Sequence, residues 1–246
     1  SINLIANSGY LVFVHPSIWR KPINNKTKII DTLSLFKQYN LIYLEIHDTK
    51  DGMKTFNAGT RYDFYCLQKN NNYKNTTIKD ELGKVSIINI KTMPFIPNKN
   101  IDKVISLIGD DKISVIFDSS YHASRDYISS IKDDKHIYEV IHSTPKSGSR
   151  ILYSSLNNKG HFGIPKLIFG ESGINDVIID RNGKYGMTQG AIGLIISDDD
   201  NLELMKKVLE SKYFHEIIDS CMWSNFRIDA KLFMLFKKDW YKSINI

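Results

Sequence analysis

An unbroken apolar run near the start of the chain restricts its possible folds more than any other feature. Tyr10 to His15 reads YLVFVH and is followed by Pro16. A strand exposed on one face alternates apolar and polar residues, whereas a strand buried on both faces does not. The run therefore predicts an interior strand of an α/β sheet. Its abrupt start predicts that the domain begins upstream.

Helix and strand patterns alternate after this run up to about residue 70. Lys28 to Tyr39 has apolar residues at helical spacing, and Leu41 to Ile46 and Arg61 to Gln68 have strand composition. A turn is expected at Asp51-Gly52. Strand, helix, strand and a closing hairpin are the usual end of a doubly wound sheet. We therefore predict that residues 1–70 form the terminal part of such a sheet.

A second, α+β domain is predicted over residues 71–246, after a polar, Asn-rich linker at Asn70 to Thr77. The sequence Arg181-Asn182-Gly183-Lys184 predicts a hairpin turn. The acidic run Asp198 to Asp200 predicts the start of a helix that ends at Ser211, because negative charge is favourable near a helix N-terminus. Strands are expected at 112–117, 136–141, 166–169, 176–180 and 191–196.

Composition limits the class of protein and its surroundings. The chain has 246 residues, and its most apolar run, Ala191 to Ile196, has the length of a strand rather than of a membrane span. Two cysteines, Cys66 and Cys221, provide neither a disulfide framework nor a zinc site, so a reducing cytoplasmic compartment is expected. The formal net charge of +6 is compatible with binding nucleic acid.

Mixed aromatic, basic and amide segments are the candidates for contact with DNA. Arg pairs bidentately with guanine and Asn or Gln with adenine, while a Trp beside two cations can stack on a base. Taken singly, each segment also fits a solvated turn, and the Trp fits a half-buried residue at a sheet edge. The candidates are Trp19, Arg20, Lys21, Lys146, Ser149, Arg150, Arg181, Asn182, Lys184, Tyr185, Gln189, Asn225 and Arg227.

Motifs for a nucleotide, metal or acyl-transfer site are missing from the chain. No glycine-rich turn follows a strand, and there is no GxSxG, HExxH or Walker sequence. Asp118 to Tyr121 follows a predicted strand and is either a catalytic tetrapeptide or an ordinary turn. Together with His122 and Asp126 it leaves open an unrelated enzyme such as a metal-dependent nuclease.

The segment Gly9 to Pro22 (GYLVFVHPSIWRKP) resembles the N6-adenine DNA methyltransferases of type I and fused type IIG-like restriction–modification systems. In that family the strand after the catalytic NPPY motif has a glycine turn, an apolar run, a proline and a tryptophan. Gly9, Pro16 and Trp19 match this order. Phe56 to Asp63 resembles the loop that leads into the last strand of the family's sheet.

From Ser154 onward the chain is similar to the family's target recognition domain. The shared order is an aromatic segment at His161-Phe162, a strand start at Pro165 to Ile168, a hairpin with Asp180 and Gly183, and a helix with a leucine repeat. The resemblance implies the DNA-binding half of a methyltransferase, with double-stranded DNA and an upstream catalytic half or partner subunit as partners. It also implies S-adenosylmethionine as the cofactor.

The chain departs from this family because the cofactor-binding glycine turn, the acidic ribose-binding residue and the NPPY motif are all missing. No catalytic residue can therefore be assigned to any position. The catalytic motifs lie on a longer polypeptide or a partner, or they have been lost. The last case leaves a non-catalytic DNA-binding or virion-associated protein derived from a degenerate methyltransferase.

Overall fold

The computed structural model describes residues 2–22, 32–72, 74–223 and 227–245. The chain is a mixed α/β protein with several small sheets and few helices. It divides into two compact units, residues 1–105 with 220–225, and residues 106–219 with 226–246. Within the described residues, every helix is too short or too polar to cross a bilayer.

The first unit contains a five-stranded sheet. Its strands are β1 (Tyr10–Pro16), β2 (Asn40–His47), β3 (Tyr62–Gln68), β4 (Thr76–Lys79) and β5 (Val85–Ile88), in the order β1-β3-β2-β4-β5. β3 is antiparallel to both β1 and β2, so β1 and β2 run in the same direction. β4 is parallel to β2 and antiparallel to β5.

Three helices accompany this sheet: α1 (Thr32–Phe36), α2 (Thr49–Phe56) and α3 (Ile101–Ile105). A 3₁₀ helix, Ser17–Arg20, follows β1 directly. Only the second half of the helix predicted from Lys28 falls in the described residues, and it ends earlier than expected, at Phe36.

One face of the sheet carries the core of the first unit. Leu44, Tyr65, Leu67 and Ile78 point to this face and are buried with Trp19 and other apolar residues. The strand registers place a second row, Val12, Cys66, Tyr43, Thr77 and Ile87, across the five strands on the opposite face. Every member of that row is partly or fully exposed, so no described residue buries this part of the opposite face.

The prediction that the first strand is buried on both faces is wrong. β1 lies at the edge of the sheet, and Val12 and Val14 are 54% and 50% exposed. Sequence pattern reports which side chains suit burial, but it does not show whether a covering layer is present.

The turn expected at Asp51-Gly52 is also wrong, because both residues lie in α2. The Asp48 carboxylate accepts a hydrogen bond from the Asp51 backbone N–H and caps the helix, and Asn57 ends it in the left-handed conformation. A Cβ atom at Gly52 would lie 1.9 Å from the Thr60 carbonyl oxygen. The glycine therefore allows the Thr60 backbone to pack closely against α2 and does not mark a chain reversal.

The segment predicted as a linker contributes to the sheet. β4 begins at Thr76, inside the Asn70 to Thr77 segment, and its pairing with β2 carries the sheet past residue 70. The Thr76 hydroxyl donates a hydrogen bond to the Leu41 carbonyl and so ties β4 to β2.

The second unit has two four-stranded sheets. The first, in the order β11-β10-β13-β6, contains β6 (Val115–Ile116), β10 (Lys166–Gly170), β11 (Gly173–Asp180) and β13 (Ala191–Ile195). The second, in the order β12-β8-β9-β7, contains β7 (Ile128–Ser129), β8 (Tyr138–Ser143), β9 (Arg150–Ser154) and β12 (Gly186–Met187). No strand is expected from the sequence between residues 141 and 166, so β9 was not predicted.

Helices α4 (Leu202–Glu210), α5 (Lys212–Asp219) and α6 (Ala230–Phe233) complete this unit, with a 3₁₀ helix at Trp240–Ser243. The expected helix ends one residue early, at Glu210, and α5 follows it after a break at Ser211. An aromatic cluster formed by Phe169, Phe214, Phe233, Phe236 and Trp240 makes much of the core.

The turn at Arg181 to Lys184 is confirmed as a turn, but it does not join two paired strands. β11 pairs with β10, whereas β12, which follows the turn, pairs in parallel with β8 in the other sheet. The Asp180 carboxylate accepts hydrogen bonds from the backbone N–H groups of Lys184 and Tyr185, so the chain changes sheets here.

Candidate nucleic-acid interface

The best candidate for binding nucleic acid is a basic surface at the end of β8 in the second unit. β8 and β9 are joined by a turn in which the Gly148 N–H donates to the Pro145 carbonyl, and this turn exposes Lys146. Arg150 pairs with Ser143 across the strands and is also exposed. Among the described residues, neither cation has a carboxylate within ion-pair distance.

Two further segments meet the end of β8. The His142 Nδ1 atom lies 2.9 Å from the Thr188 hydroxyl. The neighbouring Gln189 side chain accepts a hydrogen bond from the Ala123 N–H at 3.3 Å. These bonds bring Gln189 and His122 to the surface that carries Arg150, and we name Lys146, Arg150, His122, His142 and Gln189 the β8-end surface.

Burial, and then the nearby charges of Arg150 and His122, lower the pKa of His142. An imidazole among cations is harder to protonate, because each positive neighbour disfavours a further charge. Lys146 and Arg150 therefore carry the permanent positive charge of the β8-end surface, and His142 adds to it only when it is protonated.

The cations of the Arg181 turn are paired with carboxylates. Arg181 lies 3.2 Å from Glu203, and Lys184 lies 2.6 Å from Glu139. Lys184 also lies over the Tyr185 ring, 4.8 Å from its centroid, and its hydrogen bonds with Glu139 and Tyr185 raise its pKa. Glu139 is near the start of β8, so this turn and the β8-end surface occupy opposite ends of that strand. Asn182 is exposed at the turn.

The remaining predicted residues of the second unit are dispersed. Ser149 is partly buried beside Arg150, and the exposed Arg227 lies 2.9 Å from Glu171. Asn225, which is not part of this unit, lies outside the described residues. The structure therefore brings together Lys146, Ser149, Arg150 and Gln189.

In the first unit, Trp19 and Arg20 are buried, which argues against direct contact of either with DNA. The Trp19 ring packs against Phe36 and Tyr65, at centroid distances of 4.9 and 5.8 Å. The Arg20 guanidinium is bonded to Asp63 and has no exposed surface. Lys21 is partly exposed. The sequence marked these residues by type, but it is burial that decides whether a cation reaches a phosphate.

The nuclease alternative lacks a suitable constellation. Asp118 accepts a hydrogen bond from the Ser120 N–H and lies 3.1 Å from His161 Nε2. The side chain of His122 instead contacts Ser124. Within the residues that the structure describes, no group of three or more His, Cys, Asp or Glu side chains could hold a metal ion.

His161 is part of a buried structural network in the same unit. Its Nδ1 accepts from the Met187 N–H at 3.1 Å, so its Nε2 proton faces Asp118. Burial lowers the pKa of His161, and the hydrogen bond and charge of Asp118 oppose that shift. Lys166 is fully buried, donates to the His161 carbonyl and pairs with Asp180 at 2.8 Å.

A pocket of about 300 Å³ lies at the carboxyl ends of the parallel strands β2 and β4. Carboxylates dominate its lining and are already bonded, since Glu45 accepts from Lys79 and Asp51 accepts from the Tyr62 hydroxyl. These carboxylates are engaged within the chain, and the sequence has no glycine-rich turn after a strand of the kind that binds S-adenosylmethionine. We therefore derive no methyl-transfer step from this chain.

Sequence pattern did not single out His142, around which the β8-end surface is organised. Its neighbours Arg150, His122 and Thr188 are scattered along the chain, and only the pairing of strands brings them together. No protein-family model matches the chain, and no curated protein sequence matches it.

Proposed function

We propose that this chain is the DNA-binding, specificity-bearing half of a site-specific DNA N6-adenine methyltransferase that acts in a reducing, cytoplasmic compartment. Its partners would be double-stranded DNA and an upstream catalytic half or partner subunit, which would hold S-adenosylmethionine and the NPPY motif. In this proposal the first unit completes a doubly wound catalytic sheet and the second unit binds DNA.

The observation that carries the proposal is the edge strand β1. Tyr10 to Val14 contains no charged residue or proline, and such residues commonly protect exposed sheet edges from further pairing. β3 lies antiparallel between β1 and β2, which supports the closing hairpin expected at the end of a doubly wound sheet. An apolar strand with one free edge suits pairing with a strand of the catalytic half.

The apolar area around β1 is large enough for a stable interface. The exposed apolar side chains of the first unit include residues of β1, of the 3₁₀ helix that follows it and of α2. Tyr10, Val12, Phe13, Val14, Ile18, Met53 and Phe56 are between 41% and 61% exposed. Together they expose on the order of 700 Å², close to the roughly 800 Å² per partner of a standard interface.

The second unit supplies the contacts to DNA in this proposal. Exposed Lys146 and Arg150 would bind backbone phosphates, which contribute most of the affinity for DNA. Gln189 and Asn182 would read base edges, where a side-chain amide pairs with adenine. The catalytic half would act on an adenine flipped out of the duplex.

Duplex binding by the chain tests whether the second unit binds DNA. Fluorescence anisotropy should show affinity that falls with salt, and K146A/R150A should lower the slope of log affinity against log salt by about two. Lys207 is exposed on α4 of the same unit, and K207A is the matched control with at most a small effect. Affinity and salt slope that are unchanged in K146A/R150A would remove the β8-end surface from the interface.

A methylation assay tests whether the first unit completes the catalytic sheet of an upstream half. The chain should be mixed with duplex DNA and S-adenosylmethionine, with and without a candidate catalytic half, and methylated adenine should be mapped. We expect methylation only with the catalytic half, and V12K/V14K should prevent co-purification of the two halves. A chain that binds DNA but associates with no catalytic half would instead support the non-catalytic DNA-binding or virion-associated alternative.

A further inference from the structure

The β8-end surface contains a more specific site, to which His122, His142 and Arg150 contribute. β8 has an irregular register between Ile141 and Ser143, and Ser143 then pairs with Arg150, so Arg150 lies beside the bulged His142. The bond from the Ala123 N–H to Gln189 holds the loop that carries His122. After burial, Arg150 and His122 are the neighbours that lower the pKa of the His142 imidazole.

Thr188 determines which ring nitrogen of His142 is available. The Thr188 hydroxyl oxygen accepts from the Gly190 N–H at 3.2 Å and lies 2.9 Å from His142 Nδ1. In either tautomer Nδ1 is engaged by Thr188, so Nε2 is the ring nitrogen available on the side away from Thr188, and it is an N–H donor when the imidazole is protonated.

No nearby carboxylate compensates these groups. Among the described residues, none lies within ion-pair distance of His122, His142 or Arg150, whereas Arg181, Lys184 and Arg227 each pair with a glutamate. Facing His142 are Arg150 from β9, His122 from the preceding loop and the neutral Thr188 beside β12. A cluster of donors with positive charge and without a counterion is suited to an anion.

We infer that His122, His142 and Arg150 form a site for one phosphate group, which is a backbone phosphodiester of duplex DNA. The identity of the phosphate as part of DNA rests on the proposed function. Arg150 supplies a permanent charge with several donors, and each imidazole can supply an Nε2–H donor, because Thr188 engages Nδ1 of His142 and Ser124 engages Nδ1 of His122.

This site makes binding dependent on pH. A phosphate next to His142 offsets the repulsion from Arg150 and His122 and favours the protonated imidazole. Binding therefore takes up protons, and affinity for the duplex increases as the pH falls from 7.5 to 6.0. A gain of about three- to tenfold is expected, since one pKa unit corresponds to a factor of ten.

Histidine NMR titrations of the whole chain test the site. The pH titration of the His142 ring protons should be recorded alone, with inorganic phosphate and with a short duplex. We expect both additions to raise the pKa of His142, and R150A, which alters an exposed residue, to remove the effect of phosphate. In parallel, H142Q should lose the gain in duplex affinity at pH 6.0, while H215Q, at an exposed position on α5, should keep it.

The possible outcomes distinguish failure of the phosphate site from failure of the proposed function. Duplex binding with an unchanged His142 titration overturns this inference and leaves the proposed function standing. A response to inorganic phosphate without any binding of the duplex overturns the assignment to DNA and the proposed function together. An absence of response to either ligand in a folded chain overturns the site itself.

Discussion

Arg20 and Asp63 form a fully buried ion pair, in which Arg20 Nε donates to Asp63 Oδ2 at 2.8 Å and neither side chain is exposed. The other guanidinium nitrogens donate to the Ile96 carbonyl at 2.9 Å and to the Asn98 side chain at 2.8 Å. Arg20 thus joins the 3₁₀ helix after β1 to β3 and to the segment at 96–98. A residue that the sequence suggests for DNA contact is instead structural.

Replacing one member of this pair should strongly destabilise the first unit. For Arg20→Met we expect a loss of about 3–5 kcal/mol in the free energy of unfolding, because Asp63 is left as a buried, uncompensated charge. Urea denaturation followed by circular dichroism measures it. K84M breaks the exposed pair of Lys84 with Asp102 and should cost less than about 1 kcal/mol. Equal losses in the two variants would contradict the structural role of Arg20.

Gly183 should tolerate substitution less well than another glycine of the same unit with a similar backbone. Gly183 and Gly160 both have positive φ, 64° and 82°. A Cβ at Gly183 would lie 2.3 Å from the Ile164 nitrogen, whereas none of the surrounding atoms is within 4 Å at Gly160. G160A should cost about 1–2 kcal/mol from backbone strain alone, and G183A clearly more. Thermal unfolding measures both, and a smaller loss for G183A would contradict the packing of this turn.

The second unit should lose stability as the pH falls below about 6.5. Burial lowers the pKa of His161, so the unfolded chain binds a proton on this side chain at a pH where the folded chain does not. Stability therefore decreases with falling pH in that window. His142, whose pKa is also lowered, acts in the same direction. Asp118 contributes in a more acidic range, because its own pKa is lowered and its contribution is lost only around and below pH 4.

Unfolding free energies at pH 7.5, 6.5 and 5.5 test this prediction. H161Q should reduce the difference between pH 7.5 and 5.5, and H215Q, which replaces an exposed histidine, should leave it unchanged. A difference that persists in full in H161Q would show that another group causes it.

Lysine on the exposed face of β1 should have little effect on the isolated chain. Val12 is 54% exposed, so V12K should change the free energy of unfolding by less than about 0.5 kcal/mol. Leu44 is fully buried on β2, and L44K should prevent folding because it places an unpaired charge in the core. Circular dichroism and denaturation compare the two. A large loss in V12K would show that this face is covered within the chain.

Several elements were predictable because their signals are local. β2, β3, β10 and β13 coincide closely with apolar runs of the sequence, and the turn at Gly183 follows from local turn chemistry. The helix α2 was missed because its glycine suggested a turn, and that glycine is required by a contact with Thr60. A contact with a residue outside the helix leaves no mark in the residues next to the glycine.

The candidate site also divides into residues that the sequence identifies and residues that only the fold brings together. Lys146, Arg150 and Gln189 were identified from residue type, and the structure places them on one surface. Trp19 and Arg20 have equally suggestive types but are buried. His142 had no distinguishing sequence context, because its neighbours come from other strands and loops.

The order of residues alone specified the apolar strands, the helical patterns and the inventory of cations and amides, because each depends on side-chain type and short-range spacing. Tertiary structure decided that β3 inserts between β1 and β2, that Arg20 faces Asp63 while Arg150 faces solvent, and that His142 lies among positive charges. These outcomes depend on strand pairing and burial, which are long-range properties of the folded chain.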